Sequence, residues 1–332
     1  MTYTVDTPFQ ALTLAGGGFR GLFTARALQV MEEHIHQPIG SRFDLISGTS
    51  IGGFIAIAIA FEVPMAEVVK VFEDCGALIF PGRSAPTSKA GKLLDLWRYG
   101  RKARYSVVPL REALSKIIDK DALLGDAKHA LAIPAVNVTT GAPQVFKTRH
   151  RTDFTRDWQF KALDVALATS AAPTYFPLAE VGGNLYADGG IFANSPDLIA
   201  IHEAEHFLNV PDDAIRLLSV GTTSQKYSIS FSAGRDLGVM DWIGAGRLFS
   251  TAISAQQQFV HMLALHRLGA RYLHLDHEPS DEQAKDLGLD IATPAARKTL
   301  LGLAEKAATD VIATTLAPFL RHTPQLRILA AP

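Results

Sequence analysis

The stretch Phe43-Asp44-Leu45-Ile46-Ser47-Gly48-Thr49-Ser50-Ile51-Gly52-Gly53 constrains this chain more than any other. Its first residues suit a short buried strand, and the run from Phe54 to Phe61 is apolar enough for a buried helix. Between them, Gly48, Ser50 and Gly52 have the spacing of a nucleophile elbow. A serine held on a sharp strand-to-helix turn has a strained backbone, and small residues two places either side let the chain double back. Such a turn lifts Ser50 Oγ out of the sheet and sets it at a helix N-terminus, where developing negative charge is favoured. Glycine and serine are common in loops, so the spacing alone says little. Set between a buried strand and an apolar helix, it makes Ser50 a candidate nucleophile.

Composition narrows the remaining choices. The 332 residues are enough for one large α/β domain, and 48% hydrophobic with 20% charged residues is ordinary for a globular enzyme. With 32 basic against 33 acidic residues the net charge is −1, so no global field favours DNA or RNA. Cys75 is the single cysteine, which rules out an intrachain disulfide and argues against a cysteine-based metal site. Met1 to Asp6 lacks the basic start and apolar run of a signal peptide, and the apolar segment Ile51 to Phe61 is too short to cross a bilayer. A cytoplasmic protein is the expectation.

Along the chain, strands and helices alternate. Gln10 to Ala15 reads as a strand running into Gly16-Gly17-Gly18-Phe19-Arg20-Gly21, and Leu22 to His34 as an amphipathic helix. Further helices are expected over Pro64 to Leu78, Pro109 to Lys120, Phe160 to Ser170, Pro196 to Leu208, Val239 to Leu268 and Pro294 to Leu316. Strands are expected over Ala130 to Val138, Gln144 to Thr148, Leu185 to Ala187, Ile215 to Val220 and Arg271 to Asp276. Without repeats or a linker, this order predicts a single α/β domain over 1–332 with a mainly parallel central sheet.

The glycine loop after the first strand also satisfies G-x-G-x-x-G, the pattern of a dinucleotide site. That use needs an acid at the C-terminal end of the second strand, whereas Asp44 stands at its beginning. An oxyanion hole beside Ser50 is the better use of the loop. Asp188-Gly189-Gly190, after a short strand, leaves a carboxylate at the sheet edge that either accepts the Ser50 proton or caps a turn. Two other patterns are decoys. His202-Glu203-Ala204-Glu205-His206 matches H-E-x-x-H, but Asn209 and Asp212 stand where an extended zinc motif needs Gly and His. An α/β-hydrolase triad with His274 needs several strands before the nucleophile, and the 49 residues preceding Ser50 have no room for them.

Gly16-Gly17-Gly18-Phe19-Arg20-Gly21, Gly48-Thr49-Ser50-Ile51-Gly52 and Asp188-Gly189-Gly190, in this order, resemble the patatin-like phospholipases. The resemblance extends through Ala168-Thr169-Ser170-Ala171-Ala172-Pro173, Asn194-Ser195-Pro196 and Leu218-Ser219-Val220-Gly221-Thr222, covering about residues 9–223. It implies a three-layer patatin-like fold, with 224–332 completing the same domain. It also implies a serine acyl hydrolase of membrane phospholipids that needs no metal. Ser50 would be the nucleophile and Asp188 its partner in a Ser-Asp dyad. Gly16, Gly17, Gly18 and Arg20 would form the oxyanion loop, with Gly48, Gly52, Gly189 and Gly190 supporting elbow and dyad. The chain departs from the family at Ala15, where Asp is frequent, and at Ser195, where a second Asn is.

A narrower likeness runs through Phe9 to Leu14, Gly21 to Ala25 and Phe43 to Gly53. It is to bacterial patatin-like effectors of anti-phage defence that a cyclic dinucleotide, such as cyclic GMP-AMP, switches on, acting peripherally on the inner membrane as homo-oligomers. A constitutive lipase and a catalytically silent binding protein are the alternatives. Between Arg83 and Tyr105, seven basic residues meet one acid, Asp95, with Trp97, Tyr99 and Tyr105 interleaved. The segment reads either as a solvated loop or as a lid whose Arg98, Arg101, Lys102 and Arg104 contact an anion.

Overall fold

A computed structural model describes residues 3–81, 102–223, 226–243 and 247–330. Strand β1, Phe9–Leu14, is buried along its whole length. Its residues alternate between two apolar layers: Phe9 and Ala11 pack in one, Leu12 and Leu14 in the other. A strand covered on both faces is mostly apolar, which is why it reads as a run rather than an alternation; its two polar side chains, Gln10 and Thr13, are buried and hydrogen-bonded. β2, Leu45–Gly48, and β7, Ile215–Val220, lie parallel on either side of it. β8, Tyr272–Leu275, extends the sheet beyond β7. On the other side follow β3, Ala130–Asn137, and β4, Ala142–Lys147, then β6, Asn184–Asp188, and β5, Ala179–Val181, in the order β5-β6-β3-β2-β1-β7-β8 with β4 on β3.

One detail of this topology positions the chemistry. β4 occupies one edge of β3, and the other edge is shared. β2 pairs parallel with Ala130 to Ala132, and where it stops β6 takes over antiparallel on Ala135 to Asn137. The tips of β2 and β6 therefore point at each other across about 10 Å of strand. The elbow leaves from one tip and Asp188 is the last residue of the other.

Helices cover both faces. α1, Gly21–Ile35, α2, Ile51–Ala60, and α3, Met65–Ile79, lie on the face that also receives α11, Pro294–Ile312. α4, Val108–Leu114, and α5, Ala162–Thr169, extend this layer. The opposite face carries α7, Asp197–His202, and α9, Arg247–Leu268, joined by short α6, Gly190–Ala193, and α8, Val239–Ile243. α10, Asp281–Ala284, and α12, Ala317–Leu320, are single turns near the end. Asp44, which stood at the wrong end of β2 for a ribose, staples the C-terminal segment instead: its carboxylate accepts from His322 Nε2 at 2.8 Å and from the N–H of Gln325 and Leu326. Among the described residues no helix is long and apolar enough to cross a membrane.

Three expectations are corrected. The helix from Pro109 stops at Leu114 rather than Lys120. Beyond His202 the backbone widens into a π turn over Glu203–Phe207. β5 was not expected; its residues, Ala179-Glu180-Val181, carry no apolar run and become a strand only as the partner of β6.

Candidate active site

Ser50 sits on the elbow with φ 55° and ψ −125°, a region that costs a non-glycine residue about 1–3 kcal/mol. Tight packing imposes it. A Cβ on Gly48 would stand 2.1 Å from the Gly52 carbonyl oxygen, and one on Gly52 would stand 2.4 Å from that of Leu14. The Ser50 N–H donates to Thr169 Oγ1 at 3.0 Å, and the same hydroxyl donates to the Pro134 carbonyl at 2.6 Å. Thr169 thus ties the elbow to β3, which explains the Ala168–Pro173 segment in physical terms. That segment also holds the partner strand, through Asp188 N–H to the Ala171 carbonyl at 3.0 Å.

The Asp188 carboxylate and Ser50 line the same cavity. Asp188 Oδ1 accepts the Gly190 N–H at 2.7 Å. Burial pushes its pKa up to about 6, against which the nearby Ser50 hydroxyl and the Gly190 N–H pull. Gly189 lets the chain leave closely beneath Asp188, since a Cβ there would meet the Pro134 carbonyl oxygen at 2.3 Å. No histidine lines the cavity among the described residues. His274 binds Ser219 Oγ through Nδ1 at 3.1 Å, and its ring lies 3.9 Å from that of His261. Those two histidines form a separate polar layer around Asp197, which accepts from Thr13 and Tyr272. The zinc pattern also dissolves: Glu203 is buried against His150 at 3.0 Å and Lys147 at 2.5 Å, and the rings of His202 and His206 stack on each other.

The glycine loop passes over Ser50, and its three glycines differ. Gly16 lies against the nucleophile, 3.3 Å from Ser50 Cβ to the place a Cβ would take. Its N–H is already given to the Asn194 carbonyl at 2.9 Å, so the expectation of Gly16 as a donor is corrected. Among the described residues the N–H groups of Gly17 and Gly18 have no acceptor. Gly18 takes φ 58° and fits only because it lacks a side chain, with the Leu289 carbonyl oxygen 2.1 Å from any Cβ. Arg20 Nε reaches back to the Gly17 carbonyl at 3.5 Å. Burial lowers the pKa of that guanidinium, and the nearby Asp276 charge opposes the shift.

These groups open into one cavity of about 360 Å³ that holds Ser50, Asp188, Arg20 and Gly16 to Gly18. Its walls are otherwise mainly apolar, with Phe72 and Ile79 from α3, Leu110 and Leu114 from α4, and Phe176. The rest comes from parts of the chain that carried no motif: Tyr227, Phe249 and Ile253, and the loop Leu287 to Leu289. A hydroxyl-carboxylate pair facing free N–H donors in an apolar chamber fits attack on the carbonyl of a long-chain ester.

Of the residues expected in a lid, Arg98 and Arg101 lie outside the described residues. Lys102 is exposed. Arg104 is engaged within the fold, 3.8 Å from Asp290 and stacked over the Tyr175 ring. Tyr105 is core: its ring packs on Phe80 and Phe176, and its hydroxyl donates to Asp290 at 2.7 Å.

Comparison with known proteins reaches the same place from outside the chain. The family model for patatin-like phospholipases matches residues 12–201, from β1 through the elbow and Asp188 to α7. A protein of Pseudomonas aeruginosa named cGAMP-activated phospholipase is 39% identical over 317 residues, 95% of this chain and 92% of that one. Proteins of the same name from Vibrio cholerae and Escherichia coli are 35% and 37% identical, covering 90% and 89% of this chain and 90% and 88% of their own lengths. With the matched residues taking in both the strained serine and its buried carboxylate, this chain belongs to the patatin-like phospholipase family.

Proposed function

We propose that this protein hydrolyses the carboxylic esters of membrane phospholipids with a Ser50–Asp188 dyad, and that cyclic GMP-AMP switches it on. The observation that carries the chemistry is the strained Ser50 sharing an apolar cavity with one buried carboxylate, Asp188, with no histidine among the described residues of that cavity. Ser50 Oγ attacks the acyl carbonyl carbon while its proton passes to Asp188. The carbonyl oxygen takes the negative charge and meets the N–H groups of Gly17 and Gly18. Collapse expels the lysolipid alkoxide, which leaves with the proton from Asp188. Water then gives a proton to Asp188 and attacks the acyl-enzyme, and collapse frees the fatty acid as Asp188 returns that proton to Ser50 Oγ.

The apolar chamber takes the acyl chain. The segment that sends Tyr227, Phe249 and Ile253 into that chamber also exposes Phe231, Val239, Met240 and Leu248. Exposed apolar side chains beside a lipid cavity suit a membrane surface. The chain works as one catalytic unit, acting from the cytoplasmic side of the membrane and assembling into homo-oligomers on activation.

Control by cyclic GMP-AMP rests on the three relatives of that printed name, similar over about nine-tenths of this chain. An activator must bind the working state better than the resting one, and only that difference shifts the population. The test is fatty-acid release from phospholipid vesicles by wild type and Ser50→Ala, with and without a panel of cyclic dinucleotides. Wild type is expected to respond to cyclic GMP-AMP and Ser50→Ala to be silent throughout. Release by Ser50→Ala would remove the dyad. Equal wild-type rates with every nucleotide and with none, at unchanged particle size in light scattering, would leave a constitutive lipase.

A further inference from the structure

Three consecutive glycines have no side chains to hold them in one orientation, so the direction of their N–H groups has to be imposed from outside. One residue grips Gly16 twice. The Gly16 N–H donates to the Asn194 carbonyl at 2.9 Å, and the Gly16 carbonyl accepts from Asn194 Nδ2 at 3.2 Å. Thr222 Oγ1 donates to the same carbonyl at 3.3 Å. The peptide joining Gly16 and Gly17 is trans, so the Gly17 N–H projects on the side opposite the Gly16 carbonyl. Fixing the carbonyl fixes the donor. The next peptide is held in the same way, because the Gly17 carbonyl accepts the Arg20 N–H at 3.2 Å and Arg20 Nε at 3.5 Å.

Asn194 is itself held from two directions. Its N–H donates to Gln256 Oε1, on α9, at 2.7 Å. Its Oδ1 fills the space of the missing side chains on both neighbours, 2.3 Å from where a Gly16 Cβ would be and 2.9 Å from that of Gly190. The amide is thus wedged between the glycine loop and the turn whose N–H supports Asp188. We infer that Asn194 is a positioning residue that aims the Gly17 N–H at the developing oxyanion, and that Gln256 holds Asn194 in place from α9. A shift of α9 would then reach the oxyanion loop through a single side chain. The inference rests on the reading above that Gly17 and Gly18 receive the oxyanion.

The test uses the full chain, with cyclic GMP-AMP present, on the soluble ester p-nitrophenyl butyrate. Its second readout is affinity for an alkyl trifluoromethyl ketone, to which Ser50 Oγ adds, passing its proton to Asp188 and leaving a hemiketal oxyanion in the loop. Losing a whole oxyanion donor costs about 10²–10³ in kcat, so mis-aiming one is expected to cost about 10- to 100-fold. Asn194→Ala should lower kcat by that factor, leave KM within about twofold, and weaken the ketone by the same factor as kcat/KM. Affinity for laurate, on which no new negative charge develops when it binds, should change far less. Asn194→Asp, which turns a carboxylate on the Gly16 carbonyl, should be worse. Gln256→Leu should share the defect, while Gln256→Glu, which keeps an acceptor for the Asn194 N–H, should recover most of the rate. Wild-type ketone affinity in Asn194→Ala, equal loss of ketone and laurate, or Gln256→Glu as poor as Gln256→Leu would each overturn the inference. Should Asn194→Ala fail to fold, the Gln256 pair decides alone. Ser50→Ala separates the two levels: residual hydrolysis there removes the dyad itself, whereas a silent Ser50→Ala beside an unimpaired Asn194→Ala removes only the positioning role.

Discussion

The elbow from Leu45 to Ala60 and the wall from Tyr227 to Leu289 meet around one cavity but are placed by different means. The elbow is fixed by backbone crowding, Gly48 against Gly52 and Gly52 against the Leu14 carbonyl, with Thr169 bracing the Ser50 N–H. Where it faces the cavity, the wall is tied to its neighbours by individual polar bonds: Gln256 to the Asn194 N–H, the Tyr227 N–H to Ser254 Oγ, and the Leu289 carbonyl to the Phe19 N–H. Locally crowded backbone cannot adjust to a new atom, whereas a helix held by a few polar anchors can shift. Chemistry is therefore invested in the stiff region, and substrate fit and control in the compliant one.

The largest expected effect breaks the stiff side. Gly48→Ala or Gly52→Ala places a methyl group on a backbone oxygen that has nowhere to go. Each should cost at least about 3 kcal/mol by urea unfolding and abolish hydrolysis. Ile253→Ala, in the wall, should instead leave hydrolysis of a short ester within about threefold and change the preferred chain length. Similar losses in both regions would erase the contrast.

Next is the dyad acid. Asp188→Asn should be inactive yet more stable. The gap between about 6 and the ordinary 3.8 corresponds to about 3 kcal/mol of burial cost at neutral pH, which the amide does not bear. The direction with pH follows. An acid whose pKa rises on folding holds its proton more tightly in the native state. The contribution of Asp188 to stability is thus best below about pH 4 and falls as pH climbs from 3.8 to about 6. Activity runs the other way, because only the carboxylate takes the Ser50 proton. Below about pH 6, kcat/KM on a soluble ester should drop about tenfold per unit. An activity flat to pH 5 would mean that another base serves Ser50.

A smaller effect sharpens the compliant side. Phe231→Ser with Leu248→Ser removes two exposed apolar side chains from the segment that lines the cavity. Vesicle hydrolysis should fall about tenfold, as two desolvated side chains are lost from the lipid contact, while p-nitrophenyl butyrate is cleaved as before. Equal rates on vesicles would assign that surface elsewhere.

The same contrast decides what could be read from the sequence. β1, β2 and β7 were legible because strands buried on both faces are mostly apolar, and the elbow and Asp188-Gly189-Gly190 because tight turns demand glycine. β5 was not, since Ala179 to Val181 is a strand only by virtue of its partner. Gly16 looked like a donor because nothing near it in sequence reveals that Asn194, 178 residues away, has already taken its N–H. Tyr227, Gln256 and Leu289 were invisible for the same reason. A residue that reaches the site by long-range packing leaves no spacing to detect.

The smallest prediction concerns the point where the basic segment rejoins the fold. Tyr105 donates to Asp290 at 2.7 Å, and Arg104 lies 3.8 Å from the same carboxylate. Burial, then the bond to Asp290, drives the Tyr105 pKa well above its ordinary value, so the hydroxyl stays a donor at any working pH. Tyr105→Phe keeps the ring against Phe80 and Phe176 and removes only this bond. Asp290 retains Arg104 and is not left as an unpaired buried charge. The loss should therefore be about 1 kcal/mol, or about 2 °C in Tm. Because Asp290 immediately follows Leu289, whose carbonyl holds Phe19 beside the glycine loop, the slackening should also reach catalysis. A fall in kcat of about twofold on the soluble ester is expected. A larger fall would place Asp290 and its tyrosine among the supports of the oxyanion loop, on the stiff side of the molecule; none at all would place them wholly in the compliant wall.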